Sequence, residues 1–176
     1  MSTRSLICKE NPDHTYTGIY YHWDGYPDHN GRILVNHYSD RQKVEELLKL
    51  GDLSTLAPDI APPVGEAHTY EQPLDGVCVA YHRDNGEEYS PPSLVTLAVY
   101  KDSWCEYMYI FGLDGKWRYY DIIEDDALPP KEFTEDWADG YYADEELQDN
   151  NNVTFEDILN GVPSLEDGDG EKGVCP

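Results

Sequence analysis

The chain has 176 residues, with 36 Asp and Glu against 12 Lys and Arg, for a formal net charge of −24. A field of that sign repels phosphate backbones and anionic membranes, so direct nucleic-acid binding is not expected and a basic partner surface is. The length suits one domain with an appendage, and no apolar run approaches a membrane span or a secretory signal; a soluble, cytoplasmic protein with no membrane partner is expected.

RSLICKE alternates apolar and polar residues, and TYTGIYYHW is rich in β-formers, so with Asn11-Pro12-Asp13 between them the two read as a β-hairpin. The second strand breaks at Asp24-Gly25-Tyr26-Pro27, which is turn chemistry. From about Asn30 a helical pattern begins, with Ile33, Leu34 and His37 on one face. Ser39-Asp40-Arg41-Gln42 resembles a capping box, and it opens a second helix with Val44, Leu47, Leu48 and Leu50 as its apolar stripe. Gly51 ends it.

Residues 52–76, rich in Pro, Gly and Asp, predict a long loop, and GVCVAYHR (76–83) a buried strand ended by Asp84-Asn85-Gly86. Residues 93–101 suit either a strand, through Val and Thr, or a short helix behind a serine cap. CEYMYIFGL and KWRYYDII flank Asp114-Gly115 and predict a hairpin with a type I′ turn. Cys105, Tyr107, Tyr109 and Phe111 would share one face and Met108 and Ile110 the other, both at least partly covered.

The charge is uneven. Residues 1–120 carry 18 acids and 10 bases, a net of −8; residues 121–176 carry 18 acids and 2 bases, a net of −16. This acidic part still holds Phe133, Trp137, Tyr141 and Tyr142, more aromatics than a solvated tail needs. Parts of it are expected to dock on the body, with short helices near 134–147 and 154–160. The organisation is then a core at 1–123, a partly ordered acidic extension at 124–161, and a disordered tail at 162–176. The fold class is α+β, a mainly antiparallel sheet with two helices inserted after the second strand.

Cys8, Cys78, Cys105 and Cys175 are scattered without a CxxC pair, and no P-loop, HExxH or nucleophile elbow occurs. Neither a cofactor nor a metal is expected, and the reading leans to binding without catalysis. Polar and aromatic residues do gather at the ends of elements. One group is His22, Trp23, Asp24 and Tyr26; another is His37-Tyr38; a third is His82, Arg83, Asp84 and Glu87. If the strands at 15–23 and 77–83 were neighbours, the first and third would lie side by side, with His37 facing the same place. Histidine beside carboxylate serves acid–base chemistry, and an arginine among aromatic rings can hold a phosphate and stack a base. The same residues can equally close their own turns and form surface ion pairs.

MSTRS, GIYYHWDGYPDHNGRILVNHY and Tyr81-His82-Arg83-Asp84-Asn85-Gly86-Glu87 carry a resemblance over roughly residues 1–120. The chain resembles a family of small proteins from bacteriophages, prophages and bacterial genomes. These open MSTRS and carry HWDGY, G-x-x-L-x-x-HY and Y-x-RD-x-GE segments, then an aromatic strand pair around D-G-x-W. The resemblance implies a context, a mobile-element accessory protein acting inside a bacterial cell, and no mechanism. The acidic region after about residue 121 looks longer than the family's usual end.

Three readings of function follow. In the first, the protein binds and inhibits or modulates a host macromolecule, such as a nucleic-acid-handling protein of a defence system. Its closely spaced carboxylates (Glu124, Asp125, Asp126, Glu135, Asp136, Asp139, Asp144, Glu145, Glu146) and the anchors Trp137, Tyr141 and Tyr142 would occupy a basic cleft as a nucleic-acid mimic. In the second, His22, Trp23, Asp24, Tyr26, His37, His82, Arg83 and Asp84 bind or sequester a nucleotide. In the third, the domain is structural or regulatory and has no pocket.

Overall fold

Strands β1 (Ser5–Glu10) and β2 (Tyr16–Tyr21) pair antiparallel in full register, from Ser5 opposite Tyr21 to Glu10 opposite Tyr16. The hairpin expected from their alternation therefore stands, in a computed structural model that describes residues 2–121 and 130–133. Its turn is closed locally: the Asp13 carboxylate accepts from the Thr15 N–H (3.1 Å) and hydroxyl (2.7 Å).

After β2 a π-helical turn (Pro27–Gly31) runs into α1 (Arg32–His37), and α2 (Arg41–Leu48) follows. These are the two helices expected after the second strand. The cap of α2 is Asp40, whose side chain accepts from the Lys43 N–H at 3.0 Å, so the helix starts one residue later than a Ser39 capping box would place it.

Beyond α2 the chain departs from expectation. Residues 52–76 are not wholly loop, since β3 (Leu53–Thr55) joins β2 in parallel and Asp59 bridges Val77. The strand expected over 76–83 shrinks to β4 (Val79–Ala80), antiparallel to β3, and Tyr81–Asn85 is a helical turn, α3. The cause is Asp84, whose carboxylate reaches back to the Ala80 N–H at 2.7 Å and draws the chain into a turn that its β-forming residues do not announce. In the ambiguous stretch strand and helix occur in succession: β5 (Ser93–Val95) pairs with β2, and α4 (Leu97–Asp102) starts behind Thr96, which caps Val99, instead of behind the expected serine, which lies in β5.

β6 (Tyr107–Phe111) and β7 (Trp117–Asp121) form the second expected hairpin. Its turn is not type I′. That turn needs a positive φ at both central residues, and here Gly115 has one (77°) while Asp114 does not. Bonds from Gly112 N–H to Lys116 O (2.9 Å) and from Gly115 N–H to Gly112 O (3.1 Å) instead close a longer loop with glycine in the left-handed position. β8 (Lys131–Glu132) adds to β7, and Phe133 lies against the Tyr119 ring at 5.0 Å.

The sheet runs β4-β3-β2-β1-β6-β7-β8, and β5 shares the outer edge of β2 with β3. Among the described residues five pairings are antiparallel and two, β1–β6 and β2–β3, are parallel, so the α+β class with a mainly antiparallel sheet is what forms. Alternation sends neighbouring side chains to opposite faces. Ile7, Tyr109 and Phe111 join Leu34, Val44 and Leu47 of the helices in one core, while Leu6, Cys8, Met108 and Ile110 join Val95 and Tyr100 in another. Cys105 belongs to this second core, not to the face of Tyr107, Tyr109 and Phe111, because it precedes the strand and escapes its alternation.

No helix among the described residues is long and apolar enough to cross a membrane. The expected helices near 134–147 and 154–160, the tail at 162–176, and the acidic and aromatic side chains named between Glu124 and Glu146 lie outside the described residues.

Candidate functional site

Backbone bonds to β3 assemble a cleft at the end of β2. The His22 N–H donates to Leu53 O (3.1 Å) and the Tyr81 N–H to Asp52 O (3.1 Å), so the segments that follow β2 and β4 converge although β3 separates those strands. The result is an open cleft of about 360 Å³. Tyr20 contributes from β2 and His22 from just past its end, Asp52 from the residue before β3, and Tyr81 and His82 from α3; Glu87, Glu88 and Ser90 line it from the chain beyond. That last segment is tied to the α2 end through the Tyr89 hydroxyl, which donates to Lys49 O at 3.0 Å.

Two of the sequence-derived groups thus meet here through His22 and His82. Tyr20 and His22 Nδ1 are 2.7 Å apart, and Arg4 also hydrogen-bonds Tyr20. A guanidinium only donates, so the Tyr20 oxygen accepts from Arg4 while it shares a hydrogen bond with the imidazole. Burial, followed by the nearby Arg4 charge, lowers the His22 pKa and keeps the ring neutral near pH 7. The rings of Trp23 and Tyr81 lie edge-on to His22 at 4.5 and 6.4 Å, and Tyr70 stacks on Tyr81 at 6.0 Å with the planes 29° apart. His82 Nδ1 donates to Glu87 O at 2.8 Å, and the Asp52 carboxylate accepts the Tyr20 N–H at 3.0 Å.

The other named residues go elsewhere. Arg83 turns under the 60–78 loop. Its guanidinium donates to Ile60 O at 2.6 Å, to Cys78 O, and in a fork to both oxygens of Asp84 at 2.7 and 2.8 Å. His68 completes this group, with Nε2 3.4 Å from Asp84 and 3.2 Å from Cys78 O, while Nδ1 accepts the Leu74 N–H at 3.0 Å. Asp24 sits in the turn with φ of 55°, and Tyr26 packs against His29 at 6.0 Å. His37 lies at the exposed end of α1; partial desolvation of its ring and then Lys43 lower its pKa, with Asp59 opposing, so its charged neighbours are not those of the cleft.

A cysteine, a histidine and an aspartate lie close together at Cys78, His68 and Asp84, yet they do not make a nucleophilic triad. The Cys78 sulfur faces Tyr38 and Ala57, 3.3 Å from the Tyr38 hydroxyl, and burial raises its pKa, so the thiol stays protonated. His68 reaches the carbonyl of Cys78 and not its sulfur, and has no lone pair left for a thiol proton.

Sequence reasoning missed Tyr20, Asp52, Tyr81, Glu88, Ser90 and His68. Tyr81 opens the Y-x-RD-x-GE stretch and was within reach. Asp52 had no signal beyond following Gly51. No group of three His, Cys, Asp or Glu among the described residues is placed to hold a metal ion.

The fold and cleft together define an α+β protein with a carboxylate- and aromatic-lined depression at one end of its sheet. No family model, curated protein or solved structure matches the chain.

Proposed function

We propose that this is an accessory protein of phage type, acting inside a bacterial host cell, which binds and inhibits or modulates a host macromolecule. Its acidic C-terminal region engages a basic, nucleic-acid-handling partner. The observation that carries the reading is the distribution of charge: 18 acids against 2 bases over residues 121–176, with Trp137, Tyr141 and Tyr142 retained among them. Such a segment pairs long-range attraction to a basic cleft with aromatic anchors that give short-range affinity.

The nucleotide reading has less behind it. Its one cation, Arg83, spends its donors on Ile60, Cys78 and Asp84, and the neighbouring cleft presents carboxylates that repel phosphate.

The test is capture from bacterial lysate with the full chain, compared with a variant in which Glu124, Asp125, Asp126, Glu135, Asp136, Asp139, Asp144, Glu145 and Glu146 become amides. The wild type is expected to retain a nucleic-acid-handling protein that moderate salt releases, and the variant to lose it. Equal retention by both would end the mimicry reading.

A further inference from the structure

We infer that the cleft between β2 and α3 binds an organic cation, an ammonium or guanidinium group on a short apolar stem. Asp52, Glu87 and Glu88 line it from two segments, and no lysine or arginine is among its lining residues. Tyr20 and Tyr81 line it beside them, and a cation held between an aromatic ring and a carboxylate gains from both the ring quadrupole and the charge. His22, whose pKa burial and then the Arg4 charge lower, does not compete as a cation.

Geometry also sets the kind of cation. Carboxylates around a bare metal must converge within about 2.0–2.6 Å of one point. Here neither the acids nor the imidazoles converge in a set of three. The cleft, about 360 Å³, is instead the size of a side chain or small amine. Asp52 is already oriented by the Tyr20 N–H, and Glu87 by the Asn85 side chain at 2.8 Å, so part of the ordering precedes binding. Arg4 is the opposing charge that bears on His22; it is engaged with Tyr20 and outside the lining. The inference does not depend on the acidic C-terminal region.

The experiment titrates the full chain with propylguanidinium, butylammonium, a short peptide bearing one arginine, and the neutral isosteres propylurea and butanol. It follows the imidazole C–H signals of all six histidines by NMR at constant ionic strength. Saturable shifts of His22 and His82, with the other four unmoved, are expected for the cations only. Asp52→Asn should weaken binding about tenfold, the loss of one charge-assisted contact, and, separately, the pair Glu87→Gln with Glu88→Gln at least about tenfold. The amide of the first variant keeps an oxygen for the Tyr20 N–H, and the two glutamates are exposed, so both variants are expected to fold. A peptide at least about tenfold tighter than free propylguanidinium would assign the cation to a protein side chain, and equal or weaker peptide binding to a free amine. Shifts that never saturate, that propylurea reproduces, or that survive both variants would overturn the inference.

Discussion

Arg83 and Asp84, adjacent in sequence, close a two-pronged ion pair beneath the 60–78 loop, with the Asp84 side chain 2% and the Arg83 side chain 28% exposed. Burial alone would raise the Asp84 pKa; the hydrogen bonds from Arg83 and from the Ala80 N–H outweigh it and hold the carboxyl below its usual value. A carboxylate depressed in the folded state stabilises above its unfolded pKa, and that contribution is lost as pH falls through the folded value. Stability of the wild type should therefore decline below about pH 4. Arg83→Ala leaves a buried charge with weaker compensation and should cost about 3 kcal/mol at pH 7. Its acid transition should also move upward in pH, as urea unfolding at a series of pH values would show.

Tyr109, fully buried in β6, donates its hydroxyl to Gly25 O at 2.8 Å, and the Gly25 N–H donates to Thr3 O at 2.8 Å. The turn after His22 and Trp23 is thus pinned to the middle of the sheet. Tyr109→Phe keeps the ring and removes one partner of a buried carbonyl, which should cost about 1–3 kcal/mol. Thermal unfolding would measure the loss. Amide exchange should quicken at residues 24–26 first.

Gly18 faces Cys8 across the first hairpin, and an added Cβ would overlap the Cys8 sulfur and fall 2.8 Å from Ile7 O. Gly18→Ala should destabilise by about 1–3 kcal/mol through overpacking. Because the second contact is backbone, Cys8→Ala in the same chain should restore only part of that. A double-mutant cycle by chemical denaturation decides the split.

Cys8, Cys78 and Cys105 are buried free thiols whose pKa values burial raises. They should resist an alkylating reagent in the native protein at pH 8 and react together only as denaturant unfolds it, each product located by mass spectrometry. Early reaction of Cys78 would contradict its place between Tyr38 and Ala57.

Where periodicity ran for five or six residues, the fold was legible: β1 with β2, α2, and β6 with β7. β3 and β4 were not, because two or three residues establish no period and their pairing comes from tertiary register. Tyr81 and His82 read as strand on their own propensity; the side chain of Asp84, bonding backward, decided otherwise. His22 and His82 stood out because they end elements beside turn residues. Asp52 and His68 lie in segments whose composition reports a loop and no partner, so nothing local distinguishes them.

The parallel pairing of β1 with β6 sets the order in which the molecule can be completed. Ser5 lies beside Tyr107, so the central strand leaves the ribosome about a hundred residues ahead of its neighbour. At roughly 5–20 residues per second, the β1 edge stays open for about 5–20 s of synthesis. A nascent chain stopped between α4 and β6 would hold a folded hairpin and helices around an unsealed apolar seam, the stage at which this protein should recruit chaperones most strongly.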